Sequence, residues 1–587
     1  MSDAGAVALA VAVWLAAAAT LPGSPWLGAL VVAIGLLARR PVVLVGGAAL
    51  LAGALATAAW GGLIGGPAER VVARAVLLGD PVAVGHATRV DVRIDDRRVE
   101  AWARGGAADQ LADRLAGEVV ELRGRLRPVP DEARARLAVR HIATRMSIET
   151  VGGWRSGSVA TRAANEVRRV LERGMSSLDE ERGALLRGFL VGDDRDVPPT
   201  VEADFRASGL THLLAVSGSN VAFVLAAAGP LLRRLQLRGR LIGSLGVIAF
   251  FALVTRAEPS VLRASAMAAI ACWAAFAGRP VSRIRVLALA VAGLVLVDPL
   301  LVHSIGFRLS VGASLGLSLL AGPLAARVPG PRWLAEPLAV TLAAQVGVAP
   351  VLVSTFGGIP LVTVPTNLLA VPVAGPLTAW GLVAGLVAGV VGDPIASVLH
   401  APSSAMVGWI AGVARVGADV PLGMVDGRAV LVCGVALAVL WRVRRVAVGV
   451  AIALLLVVTQ PMAVAARDVE LARGAHLWRA DAAVLVLDGD TDVGRVIDAL
   501  RRRGVRRLDL VVARRGTRTV AGVVFDLRSR LAVGSVLAPA GHRVRDARAV
   551  SAPATVRVGR LRVQLTPDGD ALDVDIGETA DRGGGPR

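Results

Sequence analysis

Apolar and polar positions divide this chain into two kinds of stretch. Residues 5–21, 26–38, 41–60, 241–255 and 261–277 are almost unbroken apolar runs, with no polar side left along a helical repeat. Such runs predict helices that are apolar around their whole circumference, as a membrane span requires. Residues 67–155 read differently: short alternating stretches at 70–78, 88–94, 99–103, 118–126 and 140–149 are separated by turn signals such as Gly79-Asp80-Pro81 and Asp95-Asp96. Period-two patterning at this spacing predicts a small β-barrel or sandwich. Next, 158–190 carries Val167, Val170, Leu171, Met175 and Leu178 at helical spacing among charges. That predicts an amphipathic helix, either lying on a membrane surface or packed on the barrel as a linker. Past 466 the pattern becomes strand 482–487, helix 493–503 and strand 508–513, an α/β arrangement.

Composition strengthens the membrane reading. The chain has 587 residues, 54% of them hydrophobic, and a mean hydropathy of +0.61, beyond what a soluble core needs. Its formal charge of +19 is carried by arginine alone, with no lysine and no tyrosine, which points to genomic base bias. Arginines also orient the spans: Arg39-Arg40, Arg233 to Arg240, Arg279 to Arg285, Arg327 with Arg332, and Arg442 to Arg445 all suit cytoplasmic loops. With those loops inside, a last helix at 446–464 runs outward, and both soluble stretches lie on the outer face. The first apolar run lacks a basic lead-in, so an uncleaved helix is expected there. Cys272 and Cys433 both lie in apolar segments and suggest neither a disulfide framework nor a thiolate metal site.

Candidate chemistry lies where polar residues interrupt apolar sequence. Ser208 to Phe223 carries His212, Ser217, Ser219 and Asn220 beside Gly209 and Gly218. Further islands are Arg256, Glu258 and Arg263, then Arg308 and Ser310, Gln345 before Pro350, and Thr366-Asn367 between Pro365 and Pro372. Polar groups in hydrocarbon are expensive and tend to face a partner, a cavity or a solute. One reading pairs Glu258 with Arg263 or Arg256. The other is a hydrated path, in which arginines meet phosphates and amides offer tolerant hydrogen bonds. Pro350, Pro360, Pro365, Pro372 and Gly357-Gly358 predict interrupted helices, tolerated at membrane depth beside a cavity. A Ser217–His212 nucleophile is disfavoured, because positions five apart on a helix diverge and no orienting carboxylate accompanies them. Asp488, Asp490 and Asp492 lack the glycine and closing glutamate of a Ca²⁺ loop, and no Gly-Lys-Ser/Thr phosphate loop is present.

Read with its lead-in from Gly192, the stretch through Phe205-Arg206-Ala-Ser-Gly-Leu-Thr-His212 to Gly218 resembles the signature of the ComEC family of competence DNA-uptake channels. Arg256-Ala-Glu-Pro-Ser260-Val-Leu-Arg263-Ala is similar to that family's "PS-x-x-RA" element, Asp298-Pro299 through Ser310 to its "DP…F-x-LS" element, and Gln345 to Asn367 to its helix-break region. The likeness covers most of 190–375. Arg308 stands where many members carry a neutral polar residue, and Asn220 where many carry His.

The resemblance implies a polytopic α-helical membrane protein with N-terminal transmembrane helices (1–64), an extracytoplasmic OB-like β domain (65–156), linker helices (157–204), a channel core of roughly ten helices (205–464) and a C-terminal metallo-β-lactamase-like domain (465–587). Its expected activity is transport of single-stranded DNA across the cytoplasmic membrane during natural transformation, past Arg206, His212, Ser217, Asn220, Arg256, Arg263, Arg308, Gln345 and Asn367. Expected partners are single-stranded DNA, the membrane, a DNA-delivering competence receptor and a cytoplasmic motor or single-strand-binding protein. Where members with a metal-dependent hydrolase site carry a Thr-His-x-Asp-x-Asp-His run, this chain reads Ala513-Arg514-Arg515-Gly516-Thr517-Arg518. No metal, no cofactor and no catalytic residue are therefore expected; Arg502, Arg506, Arg514 and Arg518 instead suit a DNA-attracting surface. A membrane-tethered metal-dependent nuclease and a transporter of another anionic polymer are the alternative readings.

Overall fold

A computed structural model of the chain describes residues 2–63, 65, 68–84, 87–214, 218–279, 281–356, 358–420, 424–425, 469–479, 482–489, 491, 493–502, 505 and 507–578. Ser217, Cys433, Arg442 to Arg445, the helix expected at 446–464, Asp490, Asp492 and Arg506 lie outside the described residues. Two compact units emerge: residues 1–197, 208–359 and 363–416 form the first, and 198–207, 360–362 and 417–587 the second.

In the first unit the apolar runs fold as helices α1 (Asp3–Ala18), α2 (Pro25–Leu37) and α3 (Pro41–Gly61). Glycines set how closely they pack: a β-carbon on Gly28 would lie 2.6 Å from Leu51 N, so α2 and α3 touch backbone to backbone. The barrel region follows, with α4 (Gly106–Ala112) and α5 (Asp131–Ala138), then α6 (Val159–Gly174) and α7 (Glu180–Val191). The second unit contributes α8 (Pro199–Ala207). The bundle resumes with α9 (Thr211–Leu214), α10 (Gly218–Leu232), α11 (Leu237–Val254), α12 (Pro259–Phe276), α13 (Arg283–Val297), α14 (Ile305–Ala325), α15 (Arg332–Phe356), α16 (Thr363–Val391) and α17 (Ile395–Asp419). Among the described residues six helices, α3, α11, α12, α14, α15 and α16, are long and apolar enough to cross a membrane. Trp26, Leu37, Val42 and Val390 are each more than 75% exposed, as lipid-facing residues would be.

The five expected strands all form, within a residue or two at most ends: β1 (Arg70–Leu77), β3 (Ala87–Ile94), β4 (Arg97–Arg104), β5 (Val119–Pro128) and β6 (Ile142–Arg155), with a short β2 (Val82–Val84) at the edge. β1 pairs with both β5 and β3, which closes the sheet into a barrel running β1-β3-β4-β6-β5 and back. Only β4 and β6 run parallel within it. Alternation turns Leu77, Val92, Val99, Leu122, Met146 and Ile148 into the core.

The amphipathic helix expected within 158–190 forms as α6, and its buried face rests on protein. Asn165 Nδ2 donates to Ala116 O at 3.1 Å and Arg169 meets Glu118 at 2.8 Å, both on the barrel side. On its other side α6 crosses α16 through glycines, since a β-carbon on Gly385 would lie 2.9 Å from Leu171 Cδ2 and one on Gly174 would lie 2.8 Å from Gly389 N.

The second unit contains a mixed six-stranded sheet in sequence order: β7 (Val469–Ala472), β8 (Ala475–Arg479), β9 (Ala483–Leu487), β10 (Arg507–Ala513), β11 (Ala532–Pro539) and β12 (Arg548–Val550). Helices α18 (Val493–Arg502) and α19 (Arg518–Arg530) make the crossovers between parallel β9, β10 and β11. A three-stranded antiparallel sheet, β13 (Ala554–Val558), β14 (Leu561–Asp568) and β15 (Ala571–Glu578), shares a core with the larger sheet through Val484, Val486, Leu510, Val563 and Leu565. The acidic stretch that follows Asp568 is largely the last strand of this hairpin.

Candidate functional site

The polar islands take up distinct places once folded. Arg256 sits at the α11–α12 turn, where it and Ala257 both adopt left-handed backbone angles of 62° and 54°. Non-glycine residues there are strained by about 1–3 kcal/mol each. The turn aims the Arg256 guanidinium at the barrel: Nη1 donates to Asp80 Oδ2 at 2.6 Å, while Nη2 donates to Val191 O at 3.1 Å and to Gly192 O. Asp80 is 6% exposed and also accepts from both terminal nitrogens of Arg168 and from Ala116 N at 2.8 Å. Beside it, Arg195 holds Asp193 through two bonds of 2.8 and 2.9 Å.

This knot corrects the pairing expected from sequence. Arg256 bonds Asp80, 176 positions away, and among the described residues neither Arg256 nor Arg263 forms an ion pair with Glu258. Burial raises the Asp80 and Asp193 carboxyls, but the surrounding arginines outweigh it and hold both below the usual carboxylate range. Burial likewise works against the Arg195 charge, and Asp193 overcomes it, leaving that guanidinium firmly protonated. A second link joins barrel and bundle, His141 Nε2 to Asp298 Oδ1 at 3.0 Å.

Asn220 and Asn367 are buried and spent on backbone. Asn220 Nδ2 donates to Phe189 O at 2.9 Å, taking up a carbonyl of the last turn of α7. Asn367 Nδ2 donates to Thr363 O at 2.7 Å, and Thr366 Oγ1 donates to Ser208 O at 2.8 Å. Gly209, at a φ of 77°, turns the chain against Thr363, with which any β-carbon would collide. These residues anchor Ser208, Gly209 and Asn220 against α16 and α7. Gln345 Oε1 is buried on α15 and accepts no bond among the described residues.

Arg263 differs from the others. It is 9% exposed on α12, its Nε donates to Ser310 Oγ on α14 at 2.6 Å, and its Nη1 lies 3.1 Å from Met267 Sδ. A β-carbon on Gly218, the first residue of α10, would lie 3.1 Å from Arg263 Nη2. Among the described residues no carboxylate stands within ion-pair distance of it. Three helices thus converge on a buried guanidinium whose near neighbours are neutral. The structure therefore joins Arg263 to Ser310 and Gly218, but leaves His212 and Arg308 exposed and Arg206 paired to Glu202 in the second unit.

A family profile described as "Competence protein" matches residues 189–447, which contain Asn220, Arg256, Arg263, Ser310 and Asn367. ComE operon protein 3 of Bacillus subtilis (strain 168) is 29% identical over 214 residues, 36% of this chain and 27% of its own length. Residues 189–447 thus carry a competence-protein domain similar to that of ComEC-family proteins. A second relative, the uncharacterized protein YcaI of Escherichia coli (strain K12), is 30% identical over 223 residues, 35% of this chain and 29% of its own length. An uncharacterized protein of Aquifex aeolicus (strain VF5) is 37% identical over 90 residues, 15% of this chain and 21% of its own. The matches span less than a third of each curated relative, and no solved structure matches the chain. The six long apolar helices and the competence-protein match together support a membrane protein.

In the second unit, the arginines expected as an attracting surface divide. Arg514 is tied down: Nη1 donates to Asp488 Oδ2 at 2.9 Å and Nε to Leu572 O at 3.1 Å, so its charge is compensated and it serves to join β9, β10 and β15. Arg518 is exposed at the start of α19 and forms no ion pair among the described residues. Asp80, Arg168, Asp193 and Arg195 were not read from the sequence as one cluster, for Gly79-Asp80-Pro81 signals only a turn and its partners lie far along the chain.

Proposed function

We propose that this chain is a ComEC-family conduit for single-stranded DNA across the cytoplasmic membrane during natural transformation. The observation that carries the reading is Arg263: an arginine buried among apolar helices whose polar contacts, among the described residues, are a hydroxyl and a thioether, with no carboxylate in ion-pair reach. A buried charge without a counter-ion is costly, whereas a passing phosphodiester supplies one transiently and releases it again. In this reading Asn220, Thr366 and Asn367 hold Ser208 and the start of α10 in place, and His212, Gln345 and Arg308 border the route.

The barrel's closed five-strand order, with a helix between its third and fourth main strands, supports an OB-like assignment. The second unit's βαβ sheet supports a metallo-β-lactamase-like origin, and Arg514, held by Asp488 in place of a ligating side chain, supports a domain without metal chemistry. Both soluble domains face outward in this proposal, with a separate receptor delivering DNA and a cytoplasmic motor or single-strand-binding protein receiving it. Arg263→Ala is expected to lower transformation while leaving the membrane level of the protein unchanged; unchanged transformation overturns the role given to this arginine.

A further inference from the structure

We infer that the flank of the barrel formed by β1 and β5 is a docking surface for single-stranded nucleic acid, gripped through its phosphates; this rests on the DNA-conducting reading above. Along β5, alternation buries Leu122, Gly124 and Leu126 and leaves Arg123, Arg125 and Arg127 exposed on one face. Alternate residues of a strand lie about 6.5–7 Å apart, so the three guanidiniums form a straight row. Register sets Arg70 of β1 directly opposite Arg125. Like charges facing one another across a ladder destabilise a sheet, so this arrangement calls for an outside counter-charge.

Among the described residues Arg74, Arg123, Arg125 and Arg127 have no ion pair, and Arg70 comes no closer than 3.9 Å to Glu149. Ser147 and Thr150 of β6, paired with Arg125 and Arg123, add exposed hydroxyls without negative charge. Glu121 and Glu149 are the acids bordering the row. The β3–β4 face is the reverse case: Arg140 is spent on Asp91 and Glu100, Arg145 on Glu100, and the Trp102 indole N–H on Glu100 as well. Among the described residues Arg93 and Arg98 of β3–β4 also face each other without an ion pair, but Asp91 and Glu100 alternate with them on the same face, whereas no acid lies between Arg123, Arg125 and Arg127. A row of cations matches a linear chain of phosphates, and contact with phosphates carries no preference for base sequence.

The test uses the full chain in nanodiscs of zwitterionic lipid and a labelled single-stranded oligonucleotide, titrated from about 50 to 200 mM salt. Replacing Arg123, Arg125 and Arg127 together by Gln is expected to weaken binding at least tenfold at the low-salt end. With about 0.7 counter-ions released per phosphate, the slope of log affinity against log salt should shrink by about 2. The corresponding triple Lys replacement is expected to retain most binding, which separates charge from folding. Removing the same charge from the β3–β4 hairpin, at Arg93, Arg97 and Arg98, is expected to change little. Equal losses from the two Gln triples, no loss from the first, or a loss confined to anionic vesicles would overturn the inference. A wild-type chain that binds through this flank yet delivers no DNA to the cytoplasm contradicts the conduit reading and leaves the surface standing. Unimpaired binding and delivery by the first Gln triple removes the surface and leaves the conduit.

Discussion

Arg256 Nη1 donates to Asp80 Oδ2 at 2.6 Å, fastening the α11–α12 turn of the bundle to the barrel turn that follows β1. Both partners are nearly buried, and Arg168 completes the neutralisation from α6. Removing one side of such a pair strands the other charge, at a cost of about 3–5 kcal/mol. Asp80→Asn and Arg256→Ala should therefore each lower the melting temperature of the purified protein and its level in the membrane. Melting unchanged in both variants would remove the knot's structural role.

The same knot sets a pH dependence. Asp80 and Asp193 are held below their ordinary values in the folded chain, so the unfolded chain takes up protons first as pH falls. Their stabilisation is complete above about pH 5 and declines as pH drops through and below the ordinary carboxylate range near 4. Thermal melting between pH 7 and pH 3 should show this loss, and Asp80→Asn should reduce it. An equal acid loss in that variant would place the effect elsewhere.

Asn220 is assigned to architecture. Asn220→Ala removes a buried hydrogen bond to the Phe189 carbonyl, at a cost of about 1 kcal/mol, so protein level and melting temperature should fall together with transformation. A variant made at the normal level, with normal melting and no uptake, would instead make Asn220 a residue of the route.

Gly218→Ala adds a methyl 3.1 Å from both Arg263 Nη2 and Ala264 Cβ. The guanidinium has to shift to admit it, so uptake should fall by at least severalfold while the protein still reaches the membrane. Uptake equal to that of the wild type would show that the close approach of α10 to Arg263 is dispensable.

How much of this was legible in sequence follows from the range of each interaction. The barrel strands follow from period-two alternation, which is local, and α3, α11 and α12 follow from unbroken apolar runs. The buried face of α6 was only half legible: Val167 and Val170 end up half-buried, while Asn165 and Arg168 occupy the covered face because Ala116 and Asp80 await them there. The Arg168–Asp80 pair spans 88 positions, and no local pattern encodes it. Arg514 reads as a free surface charge until folding brings Asp488 beside it. In the candidate site, sequence picked out Arg263 and Asn220 as exceptional but could not tell that one would meet neutral neighbours and the other a helix end.

The ligand-free reading of the second unit is checked with the purified full chain, incubated with DNA and Mn²⁺ or Zn²⁺. No cleavage is expected. Metal-dependent cutting that disappears when the second unit is altered would revive the nuclease reading.

The most direct measurement follows labelled transforming DNA into the cytoplasm of a strain from which the gene is deleted, with and without the gene restored. The account predicts that label reaches the cytoplasm, as one strand, only when the chain is present. Equal label in the cytoplasm without it, or label arriving as intact duplex through it, would contradict the account.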